Sequence, residues 1–223
     1  MKRARTTPAK PVLLTGFDPF DKTSVNPSWL AAERLHGARI AGHRVHSLQL
    51  PTEYARAPVL LRRAIRELRP ALVLCVGQAG GRSAISLERL AVNLADARIP
   101  DNAGARPCDQ ALVDDAPPAY FARLPLKAMA AALRKAGIPV ELSQSAGLFV
   151  CNAVFFHLCH ALATRYRSLH GGFIHVPYLP EQVVERHGVP SMDLETMVRA
   201  LRICIRTALA GGTDLQESEG ATH

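Results

Sequence analysis

Ala71-Leu72-Val73-Leu74-Cys75-Val76 is an unbroken apolar run, closed by the small-residue turn Gly77-Gln78-Ala79-Gly80-Gly81-Arg82. A strand wetted on one face alternates apolar with polar residues. A run without polar positions belongs to a strand covered on both faces, the usual state of parallel sheets. Upstream, Val59, Leu60, Ala64, Ile65 and Leu68 recur at helical spacing in a segment running from Pro51 to Arg69 and stopped by Pro70. Arg44–Leu50 alternates as a strand does. Pro11-Val12-Leu13-Leu14-Thr15-Gly16 is a second buried strand. Asn26-Pro27 opens a helix, asparagine as cap and proline at the first helical position, and Gly37 closes it. Strand, helix, strand, helix, strand predicts an α/β fold with a mostly parallel sheet that leaves room for a mixed strand. Ligands of such folds bind beyond the carboxyl ends of the strands, so chemistry is sought in the loops after Gly16, Gly77 and later strands.

Further along, Ile85 and Leu87 alternate in one phase, and Leu90, Val92 and Leu94 in the other. The slip at Glu88-Arg89 predicts a bulge that re-aims Glu88; the bland reading is a surface glutamate paired with Arg82 or Arg89. Residues 96–109 are rich in turn formers and form a long loop, a lid or subunit contact. A helix over Leu126–Ala136 and a strand over Val140–Leu142 follow. Next come a helix from Cys151 to about Arg167, a last strand over Gly171–Pro180, and a helix capped by Asp193. One catalytic domain is expected over 11–210, with a basic disordered tail at 1–10 and a flexible tail at 211–223.

The chain has 223 residues, 48% of them hydrophobic, enough for one large core. It has no apolar run of the ~20 residues that span a bilayer and no signal-peptide core behind its basic N-terminus, so no membrane partner and a cytoplasmic location are expected. The net charge of +8 raises nucleic acid as a partner. Lys2, Arg3, Arg5 and Lys10 supply half of it from the tail, and the rest reads as solvated helix faces, so no nucleic-acid partner is expected. Five widely spaced cysteines, without a C-x-x-C pair, fit a reducing compartment and leave one free to act as a nucleophile.

Cys151 stands where the turn Gln144–Phe149 enters a helix. Unpaired amides and the helix dipole there favour thiolate, so a depressed thiol pKa is expected. A thiol nucleophile also needs a base and a group that orients the base. His175, near the carboxyl end of the last strand, is the best-placed base among nine histidines. Glu88 is a candidate to orient it. His157 and His160 lack a carboxylate partner for a metal site and are read as helix-face residues. The glycines after Val76 match neither a dinucleotide fingerprint nor a P-loop, and suggest close backbone approach to a small ligand.

The stretches Thr15–Phe20 with Val25–Ser28, Gly77–Arg82 with Leu87–Asn93, Ala97–Gly104, Ser145–Gly147 with Val150–Asn152, and Gly172–Pro180 together resemble the pyroglutamyl peptidase I (pyrrolidone-carboxylate peptidase) family, in order and across residues 11–209. The resemblance implies a three-layer α/β/α sandwich and a cysteine peptidase that removes N-terminal pyroglutamate from peptides. It implies no metal or other cofactor, and assembly as a homo-oligomer, dimer or tetramer. The family's Cys, His and Glu signatures fall on Cys151, His175 and Glu88. Its substrate contacts fall on Phe17, Phe20, Gln78, Phe149 and Val150, with Asn26, Thr52 and Ile99 nearby, the phenylalanines stacking on the lactam ring. Arg98 is a possible helper to the oxyanion. Leu148 replaces the family's usual threonine and Arg106 its common glutamine, which bears on the nucleophile turn and on the loop. Two other readings stand beside this one: a different small-amide thiol hydrolase on the same scaffold, and a catalytically silent nucleic-acid-binding protein.

Overall fold

The computed structural model describes residues 9–219. In chain order the elements are β1 (Val12–Phe17), α1 (Pro27–Arg34), β2 (Arg39–Ile40), β3 (His43–Leu50), α2 (Ala57–Leu68), β4 (Leu72–Gln78), β5 (Ile85–Glu88), β6 (Leu90–Val92), β7 (Ala119–Phe121), α3 (Leu126–Lys135), β8 (Val140–Ser143), α4 (Val150–Thr164), β9 (His170–Val176) and α5 (Leu194–Ala210). The main sheet has the order β2-β3-β1-β4-β9-β5-β8. Its pairs are parallel except β2 with β3 and β5 with β9, so the sheet is mixed.

β4 lies at the centre of that order, as its apolar run requires, and Leu72 through Gly77 are all buried. Alternation splits its side chains between two cores. Leu72, Leu74 and Val76 join Val12, Leu14, Leu87 and Ile174 under α1, α3 and α5. Val73 and Cys75 join Leu13 and Phe173 under α2 and α4. Each fully buried aliphatic or aromatic side chain contributes about 1.5–3 kcal/mol, so a strand that feeds both cores is the one the sheet is built around. The product is an α/β/α sandwich.

Local chemistry explains the helix ends. The Asn26 side chain accepts from Ser28 N at 3.1 Å, and Pro27 fills the first helical position of α1. α2 begins only at Ala57, because residues 53–56 form a turn held by Arg56–Glu53 at 3.0 Å. α3 follows Pro125, which offers no side-chain cap. Asp214 supplies it from afar, accepting from Lys127 N at 3.1 Å and Ala128 N at 2.9 Å. Glu219 adds a 2.8 Å contact to Arg134. Residues 211–219, expected as flexible tail, therefore lie along α3 without regular structure; the rest of that tail, 220–223, and residues 1–8 of the basic tail lie outside the described residues. α4 is apolar nearly all round and correspondingly buried, from Val150 to Leu162.

The phase slip at Glu88-Arg89 is not a bulge within one strand. β5 ends at Glu88 in the main sheet, and β6 leaves to pair antiparallel with β7 as a separate ribbon. Arg89 is the hinge between them: its N–H still donates to Ser143 O at 2.9 Å, while its carbonyl accepts from Ala122 N at 2.9 Å. The slip marks this change of sheet: β5 is buried in both phases, whereas β6 buries Ala91 and leaves Leu90 and Val92 half-buried. Among the described residues, no helix is long and apolar enough to cross a membrane.

Candidate active site

Register brings the site together. In the parallel pair of β4 and β9, Gly77 lies opposite His175, and in the antiparallel pair of β9 and β5, Ser86 lies opposite His175 and Glu88 opposite Phe173. Because strand side chains alternate, His175, Phe173 and Glu88 share the sheet face covered by α4, whereas Leu87 and Ile174 point to the other core. His175 Nδ1 meets Glu88 Oε1 at 2.7 Å. Both side chains are buried, at 3% and 0% exposure. Glu88 is thus not the surface carboxylate of the bland reading.

Arg82 completes the cluster, and only its pairing with Glu88 was foreshadowed in the sequence. Its Nη1 donates to the same Glu88 Oε1 at 2.7 Å, and its Nη2 to Ser145 O at 3.0 Å. One guanidinium thereby links the buried carboxylate to the turn that leads into α4. Burial alone would raise the Glu88 carboxyl; His175, with help from the Ser143 hydroxyl and from Arg82, holds it below its ordinary range. The second carboxylate oxygen has no hydrogen-bond partner among the described residues.

Cys151 is the second residue of α4. The turn before it is built by short-range bonds: Ser145 N to Ser143 Oγ at 3.3 Å, and Gly147 N to Ser145 Oγ at 3.1 Å. Gly147 has φ of +76°, a conformation that favours glycine. The Leu148 carbonyl accepts from Tyr54 Oη at 2.9 Å and from Asp96 N at 3.2 Å, so at this departure from the family pattern it is the backbone that anchors the turn. Asn152, wholly buried, fastens the helix start to the β6 segment: its Oδ1 accepts from Val92 N at 3.0 Å, and its Nδ2 donates to the carbonyls of Val92 and Leu94, each at 2.9 Å. The sulfur packs on bare backbone, since a Cβ placed on Gly77 would stand 2.8 Å from Cys151 Sγ. Gly77 therefore has to lack a side chain.

The thiol does not behave as its position at a helix start suggested. Burial, reinforced by the Glu88 charge, pushes it up to about 12, and Arg82 only partly offsets this. With its pKa raised this far the thiol keeps its proton near neutral pH, although Cys151 is itself only half-buried. Desolvation outweighs the helix dipole here, because a dipole contribution of about 0.3–1 kcal/mol is small against the cost of a charge held away from water.

Cys151 and His175 line one cavity of about 420 Å³ at the carboxyl ends of β4 and β9. Of the expected substrate contacts, Phe20, Gln78, Ile99 and Phe149 line it, as does Arg98. The others do not. Phe17 is 2% exposed and packs in the core against Phe173, with ring centroids 6.3 Å apart. Val150 is fully buried under the helix start. Asn26 caps α1 and donates to Asp18 O at 2.9 Å. Thr52 donates its N–H to Asp18 Oδ1 at 2.7 Å and accepts from Asn102 N at 2.9 Å. These residues hold the walls rather than form them. The phenylalanine pair is not a clamp either: Phe20 and Phe149 lie 6.1 Å apart at 38°. A sandwiched flat ring needs two contacts of about 3.5 Å, so one aromatic wall is what the pocket offers.

The loop at 96–109 carries Arg98 and Ile99 into the cavity. Asp101 ties it down, accepting from Tyr54 N at 2.9 Å and from the amides of Ala103 and Ala105 at 2.9 and 2.8 Å. Arg106, where the family commonly has glutamine, donates from Nε to Ala97 O at 3.2 Å and braces the loop from within. Among the described residues, no group of His, Cys, Asp and Glu is arranged to hold a metal. His157 meets Arg62 and His160 meets Tyr120, at 3.3 and 2.9 Å.

The model of the pyroglutamyl peptidase family matches residues 10–211. The chain belongs to that family. Among its relatives, the pyrrolidone-carboxylate peptidase of Cupriavidus taiwanensis is 50% identical over 213 residues, covering 95% of this chain and 99% of the relative. The crystal structure of pyroglutamyl peptidase I from Bacillus amyloliquefaciens superposes with a TM-score of 0.91 at 42% identity, covering 94% of this chain and 100% of that one. The pyrrolidone carboxyl peptidase of Thermococcus litoralis gives a TM-score of 0.91 at 39% identity, over 94% and 99% of the two chains. The mixed sheet and sandwich described above are thus the fold of the pyroglutamyl peptidase family.

Proposed function

We propose that this chain is a cysteine peptidase that hydrolyses the bond following an N-terminal pyroglutamyl residue, with Cys151 as nucleophile, His175 as general base and acid, and Glu88 orienting the imidazole. Family membership supports the activity. The observation that carries the residue roles is the buried 2.7 Å contact of His175 Nδ1 with Glu88 Oε1 in the cavity that Cys151 shares. With Nδ1 directed at a carboxylate, that nitrogen carries the proton and Nε2 is left as the acceptor.

The neutral thiol decides the order of events. Nε2 of His175 takes the thiol proton as sulfur attacks the carbonyl that joins the lactam to the next residue, so imidazolium and tetrahedral oxyanion arise together. Glu88 stabilises the imidazolium. The amide of Cys151, in the first turn of α4 where intrahelical acceptors are lacking, is the donor nearest the developing oxyanion. His175 returns the proton to the leaving amine, a thioester remains on Cys151, and water activated by the same imidazole releases pyroglutamate.

The pocket suits this acyl group. A five-membered lactam is small, neutral and mostly apolar, so Phe20, Phe149 and Ile99 can cover its ring. Its N–H and carbonyl need partners once desolvated. Gln78 is a candidate: its Oε1 accepts from Gln182 Nε2 at 3.0 Å, which fixes the amide's orientation. Arg98 at the rim is available to the peptide beyond the scissile bond. Homo-oligomeric assembly and a cytoplasmic location belong to the same reading. Phe121 and Val184, 71% and 79% exposed, are apolar side chains that assembly would cover.

Hydrolysis of chromogenic pyroglutamyl, prolyl and glutamyl amides by wild type and Cys151→Ala tests the proposal. Turnover of the pyroglutamyl amide alone, lost in the variant and unaffected by chelator, is expected. Turnover only of another amide would overturn the substrate assignment, and an active Cys151→Ala the nucleophile.

A further inference from the structure

A second cavity, of about 360 Å³, lies at the opposite pole of the sheet. Lys10, Pro70 and Leu169 in its wall lie one or two residues before β1, β4 and β9, three neighbouring strands. It shares no residue with the cavity of Cys151. Its cations are Lys10, Arg66, Arg69, Arg165 and Arg167, and no carboxylate lines it. The nearest ion pair, Arg63 with Glu67 at 2.7 Å, involves none of them. An adjoining groove of about 330 Å³ shares Arg66 and Arg165 and adds Arg62 and Arg63, with His157 and His160. Four arginines that the sequence reads as solvated surface thus gather, with Lys10 of the basic tail, at one concavity.

Basic residues gather at helix C-termini for a mundane reason, and α2 and α4 both end here. The magnitudes separate the two explanations. Each helix end carries roughly half a negative charge, so the two together offset about one of the five cations. The C-terminal carbonyls of α4 are moreover already served, since Arg123 Nη1 donates to Leu162 O at 3.0 Å and to Arg167 O at 2.9 Å. Several guanidiniums remain without a counter-charge among the described residues. In the adjoining groove His157 is pushed down to about 4, chiefly by burial, with Arg62 and His160 adding to it.

We propose that this cavity is an oligophosphate-binding site. Guanidinium forks match phosphate oxygens bidentately. An excess of several cations in one concavity calls for a ligand carrying several negative charges on adjacent groups, as a chain of phosphates does and a single carboxylate does not. The volume of this solvent-open concavity suits a di- or triphosphate, free or as part of a nucleotide. Tyr166, with the Arg165 guanidinium 5.8 Å over its ring, supplies an aromatic edge for a base. The site is independent of the peptidase reading and stands or falls without it.

Calorimetric titration of the full chain with tripolyphosphate, ATP, orthophosphate and a single-stranded oligodeoxynucleotide at low salt is the test. One tripolyphosphate per chain is expected, with orthophosphate weaker. Affinity should fall about tenfold for each guanidinium removed by Arg66→Gln and Arg167→Gln. Arg206→Gln, on α5 across the sheet, removes the same charge and should leave affinity unchanged. Equal affinity for ATP and tripolyphosphate would assign recognition to the phosphate chain alone, and tighter ATP binding would add the base; both support the site. Failure of tripolyphosphate to bind at about millimolar concentration, equal loss in Arg206→Gln, or binding of the oligonucleotide alone would overturn it. All three arginines are exposed, so unchanged melting temperatures are expected and guard against misfolding as the cause.

Discussion

Replacing Gly77 by alanine tests whether the nucleophile is held where the structure puts it. Gly77 sits in β4 opposite His175, without the positive φ that would itself strain an alanine. On backbone grounds alone the change is favourable, because glycine inside a strand costs about 0.5–1 kcal/mol relative to alanine. The new methyl, however, would stand 2.8 Å from Cys151 Sγ, 2.9 Å from Phe173 Cζ and 3.0 Å from Phe173 Cε1. It is about 0.6 Å short of the 3.4 Å at which ordinary contact with the sulfur begins. Phe173 is wholly buried between Phe17 and Phe155, so the ring cannot yield, and the sulfur must. Overpacking of this kind costs about 1–3 kcal/mol, which outweighs the backbone gain. A misplacement approaching 1 Å costs about a hundredfold in rate. Gly77→Ala should therefore lower kcat/KM on a pyroglutamyl amide by one to two orders of magnitude, mostly in kcat, while the protein remains folded by circular dichroism with a modestly lowered Tm. Iodoacetamide labelling of Cys151 should slow in parallel. Wild-type turnover, within threefold, would show that the sulfur does not rest on Gly77 and would refute the geometry from which the attack is derived.

Arg82→Met should lower kcat by about ten- to a hundredfold with less effect on KM, since it removes the second partner of Glu88 Oε1 and the tie to Ser145; Arg82→Lys should recover part of it, and unchanged kcat in Arg82→Met would reduce Arg82 to a surface charge. Glu88→Gln should impair turnover less than Cys151→Ala, because the amide oxygen still accepts from His175; wild-type rates would remove Glu88 from the machinery. Asn152→Ala leaves three buried or half-buried backbone groups without partners and should cost about 2–4 kcal/mol in urea unfolding, a loss that Asn152→Gln should not simply restore; a change below 0.5 kcal/mol would contradict the bonding described. Alkaline pH should destabilise the fold: the thiols of Cys75, Cys151, Cys159 and Cys204 are all raised by burial from 9.0, the first, second and fourth to about 12. Above pH 9 the unfolded chain has then lost protons that the native state retains, so stability present below 9 should decline as pH rises towards 12, at up to about 1.4 kcal/mol per pH unit per thiol. A flat urea midpoint between pH 8 and 10.5 would contradict this.

What could be read before the structure divides along physical lines. That β4 is central and covered on both faces was legible, because that statement about solvation is written into six consecutive residues; the three-layer sandwich came with the family resemblance. The start of α1 was legible because the cap is a local bond between Asn26 and Ser28. The start of α3 was not, because its cap arrives from Asp214, 86 positions away from Ala128. In the site, Cys151 and His175 stood out because a helix start and a strand end are positions with their own chemistry. Arg82 was read only as a possible surface partner of Glu88, since its value lies in reaching Glu88 and Ser145 at once, and reach is not encoded in local pattern. Phe17 and Phe20 looked alike in sequence. The strand end turns the first into the core against Phe173 and leaves the second in the loop against Phe149.

The phase slip at Glu88-Arg89 and the raised thiol share one cause. To shield the carboxylate that orients His175, the chain buries Glu88 completely at the last position of β5, and only then crosses to the β6 ribbon. Packing around Cys151, itself half-exposed to the cavity, raises the cost of a thiolate, and the Glu88 charge adds to it. A site that keeps a carboxylate ionised beside a cysteine cannot also hold a resting thiolate cheaply, unless the imidazole between them is charged. On the proposed mechanism the imidazolium forms when the thiol proton is transferred, a transfer coupled to attack on the substrate carbonyl. On the proposed roles, the arrangement favours a thiolate formed as the proton passes to His175 during attack over one held at rest. A helix start by itself does not activate a thiol; the buried Glu88–His175 pair next to it determines when the proton leaves.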